Sequence, residues 1–192
     1  MPHTLPGTTI PVDPGQPDAA ETVLKPLFLA GGLMLSQVAQ LTGLESHTIQ
    51  NWVRRGFVSP PVGKRYSRRQ FCRIATINLL KDCLQLDKIC RLLSFVNGDL
   101  NDESDDLIDD TQLYGYISAL AFRMEDGALP TQAQLDEWCS QVLEDYVEVC
   151  PGARARVEQV LRVIMMAWFS CLLKRHVEER IIQLDAHEGK EV

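Results

Sequence analysis

Long apolar runs are missing from this 192-residue chain. The longest, Val163 to Leu173, is broken by Ser170 and falls well short of the roughly 18 to 20 residues a membrane span requires, so no transmembrane segment is expected. No secretory leader is expected either. The first residues have neither a basic region nor an apolar one, and Pro2, Pro6, Pro11, Pro14 and Pro17 mark residues 1–27 as a disordered, proline-rich tail. The six cysteines, Cys72, Cys83, Cys90, Cys139, Cys150 and Cys171, show no CxxC spacing. They lie inside apolar helical patterns, which suits reduced thiols packed as small hydrophobes and a cytoplasmic protein.

The signatures of common chemistries are also absent. There is no P-loop, no Gly-x-Ser-x-Gly and no dinucleotide-binding glycine pattern. His3, His47, His176 and His187 have no HExxH spacing and no neighbouring cysteine, so a catalytic zinc site has no support. Asp99, Asn101, Glu103, Asp105 and Asp110 reproduce part of a calcium loop, but Ser104 stands at its glycine position and Asp106 at its apolar one. Cys83 and Cys90 fit a core role better than a metal-sensing one. The expectation is a protein that is not an enzyme and holds neither metal nor cofactor.

What is present is a core and an uneven distribution of charge. Hydrophobic residues make up 45% of the chain, enough for one or two small domains. The net charge of −7 hides a basic module. Residues 33–97 hold ten Lys or Arg against three acids, while residues 98–192 hold eight bases against twenty acids. A basic block beside an acidic one points to nucleic-acid contact by the first part. A merely solvated helical face explains it less well, because seven of the ten bases crowd between Arg54 and Arg73.

Patterning predicts an all-α, mainly helical protein. A short helix runs from Leu35 to about Leu41, with Ser36 as N-cap and Gly43 as its stop. A second starts near Ser46, with Ile49, Trp52 and Val53 inward, and ends before Gly56. Phe57 to Ser67, with Pro60-Pro61 and Gly63, reads as a small β-hairpin wing. Ser67 caps a third helix, and Leu86 to Phe95 forms a fourth. Seven carboxylates and no base between Asn97 and Asp110 mark a solvated linker. Three helices follow: Gln112 to Met124, Thr131 to Val149, and Ala153 to Leu184. The expected organisation is a tail over 1–27, a DNA-binding domain over 28–97, a linker over 98–110, an all-helical dimerisation and effector domain over 111–185, and a tail over 186–192.

Two short helices around a glycine turn form a helix-turn-helix arrangement, whose second helix enters the major groove. Its outward face would show His47, Gln50, Asn51 and Arg54, with Arg55 following. Gln and Asn can bond bidentately to adenine, and the helix start at Ser46 and His47 offers free N–H groups to a phosphate. Lys64, Arg65 and Tyr66 on the wing, with Arg68 and Arg69 after it, would supply backbone contacts. In the C-terminal half Trp138, Tyr146, Met165 and Trp168 are the candidate lining of an effector pocket, with core packing as the competing role.

Leu35-Ser36-Gln37-Val38-Ala39-Gln40-Leu41-Thr42-Gly43-Leu44, then Thr48-Ile49-Gln50-Asn51-Trp52-Val53-Arg54-Arg55-Gly56-Phe57, resemble the N-terminal domain of MerR-type regulators. Tyr66 matches the family's wing tyrosine. Ile77 to Lys81 and Leu86 to Leu93 are similar to its following helix pair. The resemblance covers about residues 33–96 and extends to an uncharacterised bacterial family of MerR-like proteins with an all-helical C-terminal part. It implies a winged helix-turn-helix module, dimeric, acting on double-stranded DNA. Gln50-Asn51 replace the family's usual Arg-Tyr pair, the wing is shorter, and Cys83 stands for a glycine, so the base preference is not carried over. The expected function is sequence-specific transcriptional regulation by a homodimer, with a small-molecule effector conceivable. The alternative is an adaptor that turns the same helices against a protein partner.

Overall fold

The computed structural model describes residues 4–188 other than 14, 17, 101 and 125–128, with the backbone alone for 185–188. Its elements are α1 (Ala19–Leu27), β1 (Leu33–Met34), α2 (Leu35–Thr42), α3 (Ser46–Arg54), β2 (Arg65–Tyr66), α4 (Arg68–Leu80), α5 (Leu86–Asn97), a 3-10 turn (Glu103–Asp105), α6 (Asp110–Phe122), α7 (Gln132–Val142) and α8 (Ala153–Glu188). The protein is mainly helical. The calcium-loop residue Asn101 and the histidine His3 lie outside the described residues, as does the side chain of His187.

The local rules read from the sequence hold where capping decides them. Gly43 closes α2 in the left-handed conformation, with φ 68°, which a residue without Cβ adopts at no steric cost. The N-cap of α2 is Met34, two residues before the expected Ser36, which lies inside the helix, and the Met34 N–H donates to the Gln37 side chain at 2.8 Å. Ser67 caps α4 with a reciprocal Gln70 interaction, a capping box that fixes where the wing ends. Helix α7 stops at Val142, short of the expected Val149.

The wing differs from the expected hairpin. β2 pairs antiparallel with β1, Leu33 opposite Tyr66 and Met34 opposite Arg65, so its partner strand lies before α2. Only a tight turn at Gly63-Lys64 remains of a local hairpin, with φ 56° and 63°, closed by Arg65 N–H donating to Val62 O at 3.0 Å. Pro60 and Pro61 lack the N–H groups a longer ladder needs.

The described residues between 4 and 27 are not a detached tail. Leu5 and Ile10 are buried, as are Ala19 and Leu24 of α1. Thr9 N–H donates to Leu41 O at 2.8 Å, Asn78 Nδ2 donates to Gly7 O at 2.9 Å, and the Tyr114 hydroxyl donates to Pro6 O at 2.7 Å. Gly7 lies so close to α4 that a Cβ there would overlap the Ala75 carbonyl oxygen. Proline density suppressed regular structure in this segment without preventing it from packing.

The acidic segment is not a solvated linker either. One core runs from Leu5 through α4 and α6 to Phe169, and the stretch over 98–110 is sewn onto it. Phe71, Cys72, Ile74, Ala75, Ile77 and Leu80 of α4 are fully buried, because α4 packs between the N-terminal helices and α6. Helix α8 lies across α4, α5, α6 and α7, and its burial ends at Cys171. The cysteines correct a further expectation: Cys83, after α4, forms a disulfide with Cys171 across 88 residues, with Cα atoms 5.5 Å apart. Cys72, Cys90, Cys139 and Cys150 are free.

Candidate nucleic-acid interface

Helix α3 buries Ile49 and Trp52, and this alone fixes which face points outward. His47, Gln50, Asn51 and Arg54 are all exposed, and among the described residues none of their side chains makes a hydrogen bond or ion pair. The four form a continuous polar surface one helix long. Ser46, at the first turn, is half-buried beside them. Arg55 closes the row differently. Its guanidinium lies over the Phe57 ring at 4.4 Å and pairs with Asp87 of α5 at 3.2 Å, so it braces the end of α3 before it can do anything else.

On the wing, alternation along β2 separates two residues that the sequence had grouped. Arg65 faces out, with its guanidinium donating to Gly32 O at 2.9 Å. Tyr66 faces in and is only 3% exposed, so its ring belongs to the core and not to the surface, and burial pushes its hydroxyl pKa up. Lys64 stands exposed at the turn, held there by a positive φ.

The bases that open α4 are occupied within the chain. Arg68 grips Glu21 of α1 through both guanidinium nitrogens, one at 3.0 Å, and that hydrogen bond holds the Glu21 carboxyl below its ordinary range. Arg69 is enclosed by Glu103 at 2.9 Å, Asp106 at 2.6 Å, Asp110 at 3.5 Å and Asp109 at 3.7 Å. Burial opposes the Arg69 charge, and the carboxylates outweigh it, leaving the guanidinium pKa raised. Arg73, one turn on, pairs with Asp110 at 3.3 Å, and its Nε donates to Phe57 O at 2.9 Å. Arg68 and Arg69, expected as DNA contacts, are therefore structural ties between α4, α1 and the acidic segment. The carboxylates that neutralise Arg69 arrive from 34 to 41 residues downstream.

The expected effector pocket is not assembled. Met165 and Tyr146 are core residues, Tyr146 donating to Leu107 O at 2.6 Å, and Trp138 and Trp168 are half-buried on different helices. A cavity of about 860 Å³ opens instead between α1, α6 and the end of α7, touching Glu21, Arg68, Tyr116 and Asp145. A second, of about 670 Å³, reaches Trp168 but none of the other three. No helix among the described residues is long and apolar enough to cross a membrane.

A protein-family model described as a domain of unknown function (DUF1836) matches residues 30–117. The match begins just before β1 and ends inside α6, so it takes in the acidic segment and the helix packed on α4, which agrees with their common core. The chain is 24% identical over 143 residues to the Bacillus subtilis (strain 168) protein described as "Uncharacterized protein YkrK", covering 69% of this chain and 61% of that one. The chain thus spans less than two thirds of that relative's length. No solved structure matches. From the turn ahead of β1 to the middle of α6, the chain is similar to an uncharacterised family.

Proposed function

We propose that the protein is a sequence-specific DNA-binding regulator of MerR-like, winged helix-turn-helix type, cytoplasmic and homodimeric. The observation that carries this reading is the outer face of α3. Four side chains able to bond base edges or phosphates stand side by side with no partner among the described residues, although the neighbouring arginines of α4 are all neutralised. In the proposed complex Gln50 and Asn51 address base edges, Arg54, Lys64 and Arg65 address phosphates, and the N–H groups at Ser46 and His47 receive another.

Dimerisation is assigned to α8. Beyond its last buried residue it carries Leu173, Val177, Ile181 and Leu184, all exposed and on one face with Met166. Lys174 and Arg175 precede Glu178, Glu179 and Arg180 there, so an antiparallel second copy would set bases against acids while covering the apolar stripe. Replacing both Val177 and Ile181 by Glu should yield a monomer in sedimentation, with helicity of the body retained.

Anisotropy titration of own-promoter and random duplexes tests the reading. Three phosphate-facing bases per protomer, six per dimer, give a slope of log K against log salt of about −5. Arg65→Ala should flatten it by about 1.8, two contacts at roughly 0.9 each. Asn51→Ala should leave the slope alone and reduce the promoter preference by about 1 to 3 kcal/mol per lost base contact. Absence of duplex binding at low salt by the dimeric protein would overturn the proposal.

A further inference from the structure

The disulfide joins two elements at a telling place. Cys171 is the last buried residue of α8, and everything from Leu173 to Leu184 is exposed. Cys83 lies in the turn between α4 and α5. The covalent link therefore fastens the long helix to the body at the point where it leaves it. Cys83 is half-buried whereas Cys171 is only 4% exposed, so the sulfur nearer solvent is that of Cys83. A cavity of about 670 Å³ lies beside the link, walled by Lys81, Asp82, Cys171, Lys174, Arg175 and Glu178.

We infer that Cys83–Cys171 is a reversible thiol-exchange site, which small-molecule thiols and their disulfides enter at Cys83 and which thereby sets how firmly α8 is held to the body. A thiolate from outside attacks Sγ of Cys83. The protein S–S bond breaks with its electron pair passing to Sγ of Cys171, which takes up a proton beside the Leu79 carbonyl oxygen 3.9 Å away. A second thiolate attacks the external sulfur of the mixed disulfide, releasing Cys83 as a thiolate. The protein gains two electrons, and two small thiols become one small disulfide. The reverse sequence re-forms the link.

The other cysteines leave this pair undisturbed. Burial pushes the Cys72 thiol up to about 12 and Cys139 up to about 11, and it raises Cys90, so none of the three is a competent thiolate near neutrality. Cys150 alone among the free thiols is exposed. In a cytoplasmic protein a disulfide that persists is typically transient, catalytic or redox-sensing, which is the company this one keeps. That placement, and any effect on DNA, rest on the function proposed above. The exchange chemistry does not.

The test uses the full chain carrying Cys150→Ser, equilibrated with mixtures of reduced and oxidised glutathione, quenched and tagged with a maleimide for mass spectrometry. Cys83 and Cys171 should gain or lose tags together as the mixture is varied, in both directions. Amide exchange over residues 165–184 should quicken at least tenfold on reduction while α3 is unchanged. In Cys171→Ser, oxidised glutathione should leave one stable adduct on Cys83. Tagging of both cysteines under excess oxidised glutathione would overturn the inference. So would a bond that resists excess reduced glutathione in the folded protein yet opens in urea, or a folded Cys171→Ser variant that takes no adduct. None of these readouts involves DNA, so the inference stands or falls apart from the function.

Discussion

Asp110→Ala separates a linker from a structural tie. Asp110 sits in the run of seven carboxylates between 97 and 110. Its side chain is 3% exposed and pairs with Arg73, itself 5% exposed, at 3.3 Å. Burial raises the carboxyl pKa, against the pull of Arg73 and then Arg69. Removing the carboxylate strands Arg73 in the core with one remaining polar partner, the Phe57 carbonyl at 2.9 Å. Breaking a buried pair this way costs about 3–5 kcal/mol, whereas a solvated surface pair is worth roughly 0–1 kcal/mol. For a chain of this size each kcal/mol moves the unfolding midpoint by about 2–4 °C, so the variant should melt about 6–20 °C lower. Differential scanning calorimetry of the wild type, Asp110→Ala, Arg73→Met and the double variant reads the cycle. The double variant should recover much of the loss, because it removes both charges. A drop of under about 2 °C for Asp110→Ala, or simple additivity in the double variant, would refute the argument that the acidic segment is held by α4.

Leu5→Ala should destabilise by about 2–5 kcal/mol, since Leu5 is fully buried, and circular dichroism melting would show a midpoint lower by several degrees; an unchanged midpoint means the N-terminal segment does not dock. Asp106 has its pKa raised to about 6, chiefly by burial and against the pull of Arg69, and its Oδ1 is buried without a hydrogen-bond partner. The folded state therefore holds a proton that the unfolded chain releases near pH 4, and stability contributed by this group is gained as pH falls from above 6 towards 4. The difference in midpoint between wild type and Asp106→Asn should move in favour of the wild type over that interval, and a difference that does not vary with pH would contradict it.

The sequence disclosed what short spacings decide. Ile49, Trp52 and Val53 placed the face of α3, Gly43 ended α2, and Ser67 with Gln70 began α4, because each of these depends on neighbours within one helical turn. The failures share the opposite property. Gly7 and Pro6 are held by Asn78 and Tyr114, 71 and 108 positions on, Arg69 is neutralised by carboxylates 34 to 41 positions on, and Cys83 meets Cys171 at a separation of 88. Counting bases along the chain treats Arg68, Arg69 and Arg73 as equal to Arg54 and Lys64, although folding brings acids to the first three and, among the described residues, none to the others. Composition therefore overstated the basic surface. Of the ten bases of residues 33–97, Arg55, Arg68, Arg69, Arg73 and Lys81 are ion-paired, and among the described residues Arg54, Lys64, Arg65, Lys88 and Arg91 are exposed without an acidic partner. On the proposed function these cations carry the salt-dependent, sequence-independent part of the affinity, and the unpaired amides of Gln50 and Asn51, repeated in a second copy of the chain, are the terms on which sequence preference would depend.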